Sequence, residues 1–511
     1  MRLSELIEHQ PHSRRGPSLD PDVVRVTHDS RTAAPATLFA AFPGLTHDGR
    51  GFLADAVARG AVAALGAAPA PSPLTIPYLE VEDPRRMAGL LAARLAGDPS
   101  SHLVMVGVTG TSGKTTTALL VDRVLSAVHP RSGLFGTLVY RGAGGDKGAL
   151  IASRTTPEAT DLQPLLAGLV GDGGTAAVLE CSSHALVLER LAGCAFDVAL
   201  FLNLTRDHLD FHRDLPDYFE AKVRLFSLLK PSGKGVINAD DPWGQRLMER
   251  LIERLPRERV VGFSLQDQPG ADVTGKILPS LPSGGTRLRV SARATGEEFE
   301  VVSPLLGRPN AENLLAATAT ALALGIPGAT AAAALSSLQT VPGRLEPVPN
   351  PFGYTLLVDY AHKPAALEGV LRTARSLAGA PGGKVIVVFG CGGDRDRGKR
   401  AEMGRIAAEL ADETVLTSDN PRSEDPRAIL EEIRAGYERT GRAATMVPDR
   451  RQAITTALRL ARSGDVVVIA GKGHETYQET SGRKEPFDDR VVARELLAEA
   501  TSGRALAGGA R

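Results

Sequence analysis

Short apolar runs rich in valine and alanine alternate along the chain with stretches of helical spacing, and nearly every run stops at a polar or glycine-bearing loop. Apolar runs this short, without a helical stripe, read as buried strands. In residues 1–98 the strands are Val23–Thr27, Thr37–Ala41 and Ala61–Leu65, with a helix over Gly51–Arg59. That is a small α/β unit. Leu95–His102, with its Asp98-Pro99-Ser100, reads as a linker. Residues 99–340 carry strands at Leu103–Val108, Ala176–Leu179, Asp197–Leu202 and Gly235–Asn238, and a helix over Ala118–Val128. Ser264–Pro304 alternates in places, as in Arg287-Leu288-Arg289-Val290, and reads as a β-hairpin excursion. An alanine-rich helix follows, with Asn310 placed for an N-cap and Asn313 inside it. Residues 341–511 show strands at Tyr354–Val358, Lys384–Phe389, Thr414–Thr417, Ala444–Val447 and Val466–Ala470. Helices such as Ala365–Leu377 and Arg400–Leu410 lie between them, the alternation of a doubly wound parallel sheet. The fold class is therefore α/β in three domains: a small N-terminal one, a central mononucleotide-binding one and a C-terminal Rossmann-like one. The Gly- and Ala-rich tail from Thr501 is expected to be disordered.

Length agrees with three domains, since 511 residues exceed a single core at roughly 100–200 residues per domain. Lys plus Arg and Asp plus Glu both number 59, so no charge excess points to nucleic acid or a membrane surface. The 3 cysteines, Cys181, Cys194 and Cys391, are odd in number and far apart, which fits a reducing cytoplasm better than a disulfide framework. No secretory apolar region opens the chain and no uncharged apolar run is long enough to span a bilayer, so a soluble cytoplasmic protein is expected.

The chemistry gathers where strands stop. After Leu103–Val108 comes Gly110-Thr111-Ser112-Gly113-Lys114-Thr115-Thr116, then a helix. Strand, glycine loop and helix form the setting of a phosphate-binding loop: backbone N–H groups converge on an anion, Lys114 reaches the outer phosphates and the Thr115 hydroxyl holds Mg²⁺. The bland alternative is a glycine turn with a chance lysine. Glu180, ending Ala176–Leu179, stands where a second magnesium ligand belongs. His208 and Asp207 follow another strand, as do Ala239-Asp240-Asp241. In the third unit the strand ends carry Asp359-Tyr360-Ala361-His362, Gly390–Asp396, Ser418-Asp419-Asn420-Pro421-Arg422 and Gly471-Lys472-Gly473-His474-Glu475. Each alone is a turn; four on one edge of one parallel sheet make a ligand crevice. Lys222, on a helix, is by default a solvated charge.

Together these motifs, with Asn310–Asn313 and Pro342-Gly343-Arg344, resemble the Mur ligases, ATP-dependent amide-bond ligases of peptidoglycan precursor synthesis. Asp29-Ser30-Arg31, Thr155-Thr156-Pro157, Asp419-Asn420-Pro421-Arg422 and Gly471–Glu475 resemble the branch that adds meso-diaminopimelate to the D-Glu carboxylate of UDP-N-acetylmuramoyl-L-Ala-D-Glu. The resemblance implies an acyl phosphate made from ATP and then attacked by an amine. It implies catalytic roles for Lys114, Glu180, His208, Lys222, Arg344 and His362. Thr115, Glu180, His208 and Lys222 would hold Mg²⁺, with Lys222 as a CO₂-derived carbamate. ATP would meet Gly110–Thr116, Asn313, Arg344 and Asp359. The nucleotide substrate would meet His28, Ser30, Leu45, Thr46, His47, Thr155, Thr156, Ser182, Leu188 and Arg190. Diaminopimelate would meet Arg395, Asp419, Asn420, Pro421, Arg422, Gly471 and Glu475. A buried arginine fork at Arg422 would read the distal carboxylate that lysine lacks. A monomer acting on small molecules is expected.

Departures from the family pattern are Lys363-Pro364-Ala365 for Thr-Pro-Asp, Pro309 for an aromatic, Leu188 for Gln and Arg154 for Asn. The competing readings are a lysine-adding or divergent paralogue, a folylpolyglutamate synthase-like ligase, and a catalytically dead ATP-binding scaffold.

Overall fold

The computed structural model describes residues 1–44, 47–145, 149–152, 154–279, 284–379 and 382–502. They form three α/β domains built on sheets of 5, 11 and 6 strands, plus a two-stranded ribbon, Tyr477–Thr480 with Arg483–Pro486. Among the described residues no helix is long and apolar enough to cross a membrane.

The first sheet runs Ser13–Arg15, Tyr78–Glu80, Ala61–Gly66, Thr37–Ala41, Arg25–Thr27. The two strands at the Ser13 side have three residues each and leave no periodic signal to read. Thr37–Ala41 is buried throughout, because Leu38 and Ala40 face one small core and Phe39 and Ala41 another. The Leu95–His102 segment is not a free connector. The helix Pro84–Leu95 fills its start, and Pro99–His102 is a 3-10 turn whose Ser100 hydroxyl donates to Gly193 O at 3.3 Å in the central domain.

In the central sheet Val104–Thr109 lies between Phe196–Phe201 and Ala176–Glu180, parallel to both. Met105 packs into one core while Val106 and Val108 pack into the other. A strand covered on both faces has no polar side to show, hence its continuous apolar run. The Ser264–Pro304 reading holds for its antiparallel hairpins and needs correction in their placement. Val273–Leu278, Thr286–Ala292 and Glu297–Ser303 extend the main sheet instead of standing off it, the first of them pairing parallel with Val260–Ser264. Val273, Leu288, Val290 and Val301 bury one face of this extension in the core they share with the alanine-rich helix Arg308–Ala323. Asn310 is likewise not the N-cap. Gly307, at φ +85°, takes that place, and the Asn310 amide inside the helix donates to Leu306 O at 2.8 Å.

The C-terminal sheet runs Glu346–Pro347, Thr355–Asp359, Val466–Ala470, Val385–Phe389, Glu413–Leu416, Thr445–Met446. The five strands read from the sequence are parallel; Glu346–Pro347 adds a short antiparallel edge. Apolar cores on both faces confirm the doubly wound layout. The helix Asp489–Thr501 carries the chain to Thr501, and the tail beyond Ser502 lies outside the described residues.

Candidate active site

The glycine loop after Thr109 turns into the helix Lys114–Val128 at Gly113, whose φ is +86°. A Cβ there would lie 2.5 Å from Asn313 Oδ1, so glycine is required both by conformation and by space. Asn203 Oδ1 accepts from the backbone N–H of Thr111 and Ser112 at 3.1 and 2.9 Å and holds the loop open. The half-buried Lys114 folds back over it, its ammonium donating to Gly110 O at 2.7 Å and Thr111 O at 3.2 Å. Burial, then the charge of Lys363, pushes Lys114 down to about 8.

Glu180 ends its strand at 2% exposure. Its carboxylate accepts from the Thr115 hydroxyl at 2.9 Å, the Thr137 N–H at 2.7 Å and the Thr137 hydroxyl at 3.1 Å. Gly136 makes the room: a Cβ on it would lie 2.3 Å from Glu180 Oε1. Arg344 reaches over from the C-terminal domain, Nη2 donating to Thr115 Oγ1 at 3.4 Å, its guanidinium 4.6 Å above the Tyr360 ring and its Nε buried without a partner. A buried carboxylate beside a hydroxyl, both hard oxygen donors, fits Mg²⁺ next to a phosphate loop.

Lys222 is 1% exposed. Its ammonium donates to Gly110 O at 2.9 Å and lies 4.4 Å from the Tyr218 ring centre. Burial, with Lys114 and Lys363 nearby, holds it well below the usual lysine range. The solvated-charge reading is therefore wrong: the helix Leu215–Val223 turns Lys222 inward. His208 sits at φ +53°, with Nε2 3.0 Å from Asp207 Oδ2 and its ring edge-on to His184 at 4.8 Å. Burial pushes His184 down to about 4. Asp207 also pairs with Lys363 across the domain boundary. Burial would raise the Asp207 carboxyl, but the His208 hydrogen bond and the Lys363 charge hold it well below the carboxylate range. Among the described residues no group of three His, Cys, Asp or Glu side chains could hold a metal.

A cavity of about 250 Å³ is lined by Thr111–Thr116, Thr137, Thr155, Glu180, Ser182, His208, Arg344 and Asp359. Neither Lys222 nor Gly110, whose carbonyl accepts from it, lines this cavity. Asp359 is buried, and its carboxylate takes the N–H of Leu345 and of Ala361, both at 2.7 Å, so it fastens the Arg344 turn to its strand. Asn313 is committed too: its oxygen accepts from Thr117 at 3.1 Å and its amide donates to Asn310 at 3.3 Å. The His362 ring donates through Nδ1 to Tyr360 O, 2.7 Å away, and burial, then Lys363 and Lys399, hold it well below the usual histidine range.

A second cavity, about 580 Å³, opens on the C-terminal sheet edge and takes in Arg395, Asp419, Asn420, Arg422, Gly471 and Glu475. Pro421 stays outside it, its carbonyl packed on Gly393. Arg422, at φ +53°, is 22% exposed, donates to Gly393 O at 2.7 Å and lies 3.6 Å from Glu479. The expected burial of this guanidinium is corrected: it is half-buried, and the ribbon after Glu475 supplies a counter-charge. Glu475 accepts from Lys472 at 3.0 Å and Asn420 at 2.8 Å, while burial raises the Asp419 carboxyl against Arg450 and Lys472.

Between the N-terminal and central domains His28 stacks on Phe42 at 5.8 Å and meets Thr160 Oγ1 at 2.8 Å. Ser30 is buried within its 3-10 turn, His47 is exposed, and Leu45 and Thr46 lie outside the described residues. Thr156 donates to Glu180 O at 2.7 Å and lies 3.2 Å from the Ser182 hydroxyl. Arg190 pairs with Glu158 at 2.9 Å, which Arg85 and Arg154 also face, and Leu188 ends the short helix after Ser182. The sequence reading missed Gly136, Thr137, Glu158 and Glu479. The first pair follows the strand Ser132–Phe135, so the strand-end signal was present but lay in a run too short and glycine-broken to read.

The Mur ligase middle domain matches residues 108–321, and the Mur ligase glutamate ligase domain matches residues 343–473. The chain is 44% identical to the UDP-N-acetylmuramoyl-L-alanyl-D-glutamate–2,6-diaminopimelate ligase of Solibacter usitatus, over 93% of this chain and 94% of that one. It is also 44% identical to the ligase of that name from Gloeobacter violaceus, over 98% and 99%. A solved structure of such a ligase superposes with a TM-score of 0.68 at 33% identity, covering 98% of this chain and 99% of that one. With both domains matched and near-complete coverage of its relatives, the chain belongs to the Mur ligase family.

Proposed function

We propose that this chain is the ATP-dependent ligase that joins meso-diaminopimelate to the D-Glu carboxylate of UDP-N-acetylmuramoyl-L-Ala-D-Glu in peptidoglycan precursor synthesis. The observation that carries the reading is that the two cavities meet. His208, Tyr360, His362 and Lys363 line both, so a group activated at the phosphate loop faces an amine held at the C-terminal crevice.

We assign the uridine end to residues 1–98, at His28, Ser30 and the loop through His47, ATP to residues 99–340, and the amino acid to residues 341–511. Thr155, Thr156, Ser182 and Arg190 hold the dipeptide end. A carboxylate is a poor electrophile, and ATP overcomes this by phosphorylating it. Lys114 and Arg344 meet the charge of the transferred phosphoryl group, the preorganised cations that such a transition state needs. Thr115 and Glu180 would hold one Mg²⁺, and His208 with a carbamate on Lys222 a second; bound there, the ions would neutralise further charge on the phosphates. Arg422 exchanges Glu479 for the distal carboxylate of diaminopimelate, with Arg395 beside it, while Asp419 and Glu475 take the distal ammonium. The enzyme acts as a cytoplasmic monomer.

The test is ADP release with the full substrate set and with each component left out. The proposal requires all three substrates and predicts no turnover with a folate and glutamate. Turnover with the folate pair would favour a folylpolyglutamate synthase-like ligase, and ADP release independent of any acceptor would favour an uncoupled ATP-binding scaffold.

A further inference from the structure

Lys363 caps the helix Pro364–Leu377 directly after His362. Its backbone is fixed by that helix, and its side chain, 17% exposed, crosses to Asp207 of the central domain, 15% exposed. The same carboxylate oxygen lies 3.0 Å from His208 Nε2. Of the four residues that line both cavities, Lys363 alone carries a permanent positive charge. An ammonium has three donors, and Asp207 engages one of them. As a bare latch the pair would gain little, since desolvating two charges offsets most of their attraction.

We propose that Lys363 is a catalytic cation, delivered by the C-terminal domain, that binds the phosphate oxygens of the acyl phosphate where the two cavities join. This rests on the ligase reading above. Lys114 and Arg344 sit on the phosphate-loop side of that point, and the amine arrives from the opposite side, past Arg422. The diaminopimelate ammonium first gives one proton to solvent. Its nitrogen lone pair then forms the C–N bond to the acyl carbon. The bond from that carbon to the phosphate oxygen breaks, its electron pair leaves on the phosphate, and the surplus amine proton leaves with it. Lys363 keeps its own proton throughout. It holds the oxygen on which charge builds, a role that depends on charge and reach and not on acid–base chemistry.

The experiment compares wild type, Lys363→Met and Lys363→Arg in steady-state ADP release, with hydroxylamine trapping of the acyl phosphate in the absence of amino acid. Lys363→Met is expected to lower kcat by about 100- to 1000-fold, as loss of one preorganised donor does elsewhere. KM values for ATP and diaminopimelate should stay within about threefold, the melting temperature should hold, and Lys363→Arg should recover at least about a tenth of kcat. A Met variant with kcat within about threefold of wild type overturns the proposal. So does an equal loss in Met and Arg accompanied by raised KM values or a lowered melting temperature, which is what a domain latch would give. A silent wild type would overturn the ligase reading and this proposal with it, whereas an active wild type beside an active Met variant overturns this proposal alone.

Discussion

Gly136 is a glycine because Glu180 occupies the place its side chain would take. Adding a methyl group there need not disturb the fold, since the nearest atoms belong to the end of one side chain, but it must move the carboxylate that faces Thr115. Gly136→Ala is therefore expected to lower kcat at least about tenfold, roughly 1.4 kcal/mol of lost transition-state stabilisation, with little change in melting temperature. Steady-state kinetics and a thermal melt check this, and wild-type kcat in the variant would show that Glu180 has no need of its position. Lys114, Thr115 and Glu180 were legible because each ends or follows an apolar run that no polar residue interrupts. Gly136 was not, since a glycine after a four-residue strand looks like any turn. Lys222 was legible only through family likeness, because what makes it unusual is burial against Gly110 and Tyr218, residues more than a hundred positions away or on its own helix.

At the level of loops and strands, the C-terminal crevice depends on two buried arginines. Arg450, paired with Asp489, donates to Ser418 O at 3.2 Å and Ala470 O at 2.9 Å, and so spaces the strand ends that carry Asp419 and Gly471. Arg400 donates to Glu424 at 2.8 and 2.9 Å, to Glu432 at 2.9 Å and to Gly392 O at 3.3 Å, fixing the loop that carries Arg395. The Arg400 hydrogen bonds, with the Asp394 N–H, hold Glu424 well below its ordinary 4.5, at about 2. A carboxyl lowered on folding stabilises the native state above its unfolded pKa, and that contribution fades as pH falls through the folded one. Glu424→Gln should thus cost on the order of 2 kcal/mol at neutral pH, after allowing for solvent screening, and the gap to wild type should narrow from about pH 5 downward. Denaturant unfolding at a series of pH values measures it, and a gap constant with pH would contradict the assignment. The strands here were legible because five parallel strands buried on both faces leave apolar runs. The buried arginines were not, since Arg400 and Arg450 look like ordinary helix charges until their partners are known.

The molecule as a whole works through contacts that cross domains: Lys363 with Asp207, Arg344 with Thr115, and His28 with Thr160. Their partners stand 156, 229 and 132 residues apart, so no local pattern could reveal them. Each sheet edge was readable alone; that two edges face one another, with Lys363 between them, was not. Nor was Glu479 legible as the counter-charge of Arg422, because it rides on a ribbon strand, Tyr477–Thr480, of only four residues. The central claim is that this face-to-face arrangement makes the chain a ligase selective for an amino acid with a distal carboxylate. The direct measurement is kcat/KM for meso-diaminopimelate and for L-lysine, in wild type and in Arg422→Ala. The account predicts that wild type favours diaminopimelate by at least about 1000-fold, because a lysine leaves the site's polar groups without their partner. It predicts that Arg422→Ala loses most of the diaminopimelate activity and most of that preference. Comparable turnover of lysine by wild type, or an undiminished preference in Arg422→Ala, would contradict it.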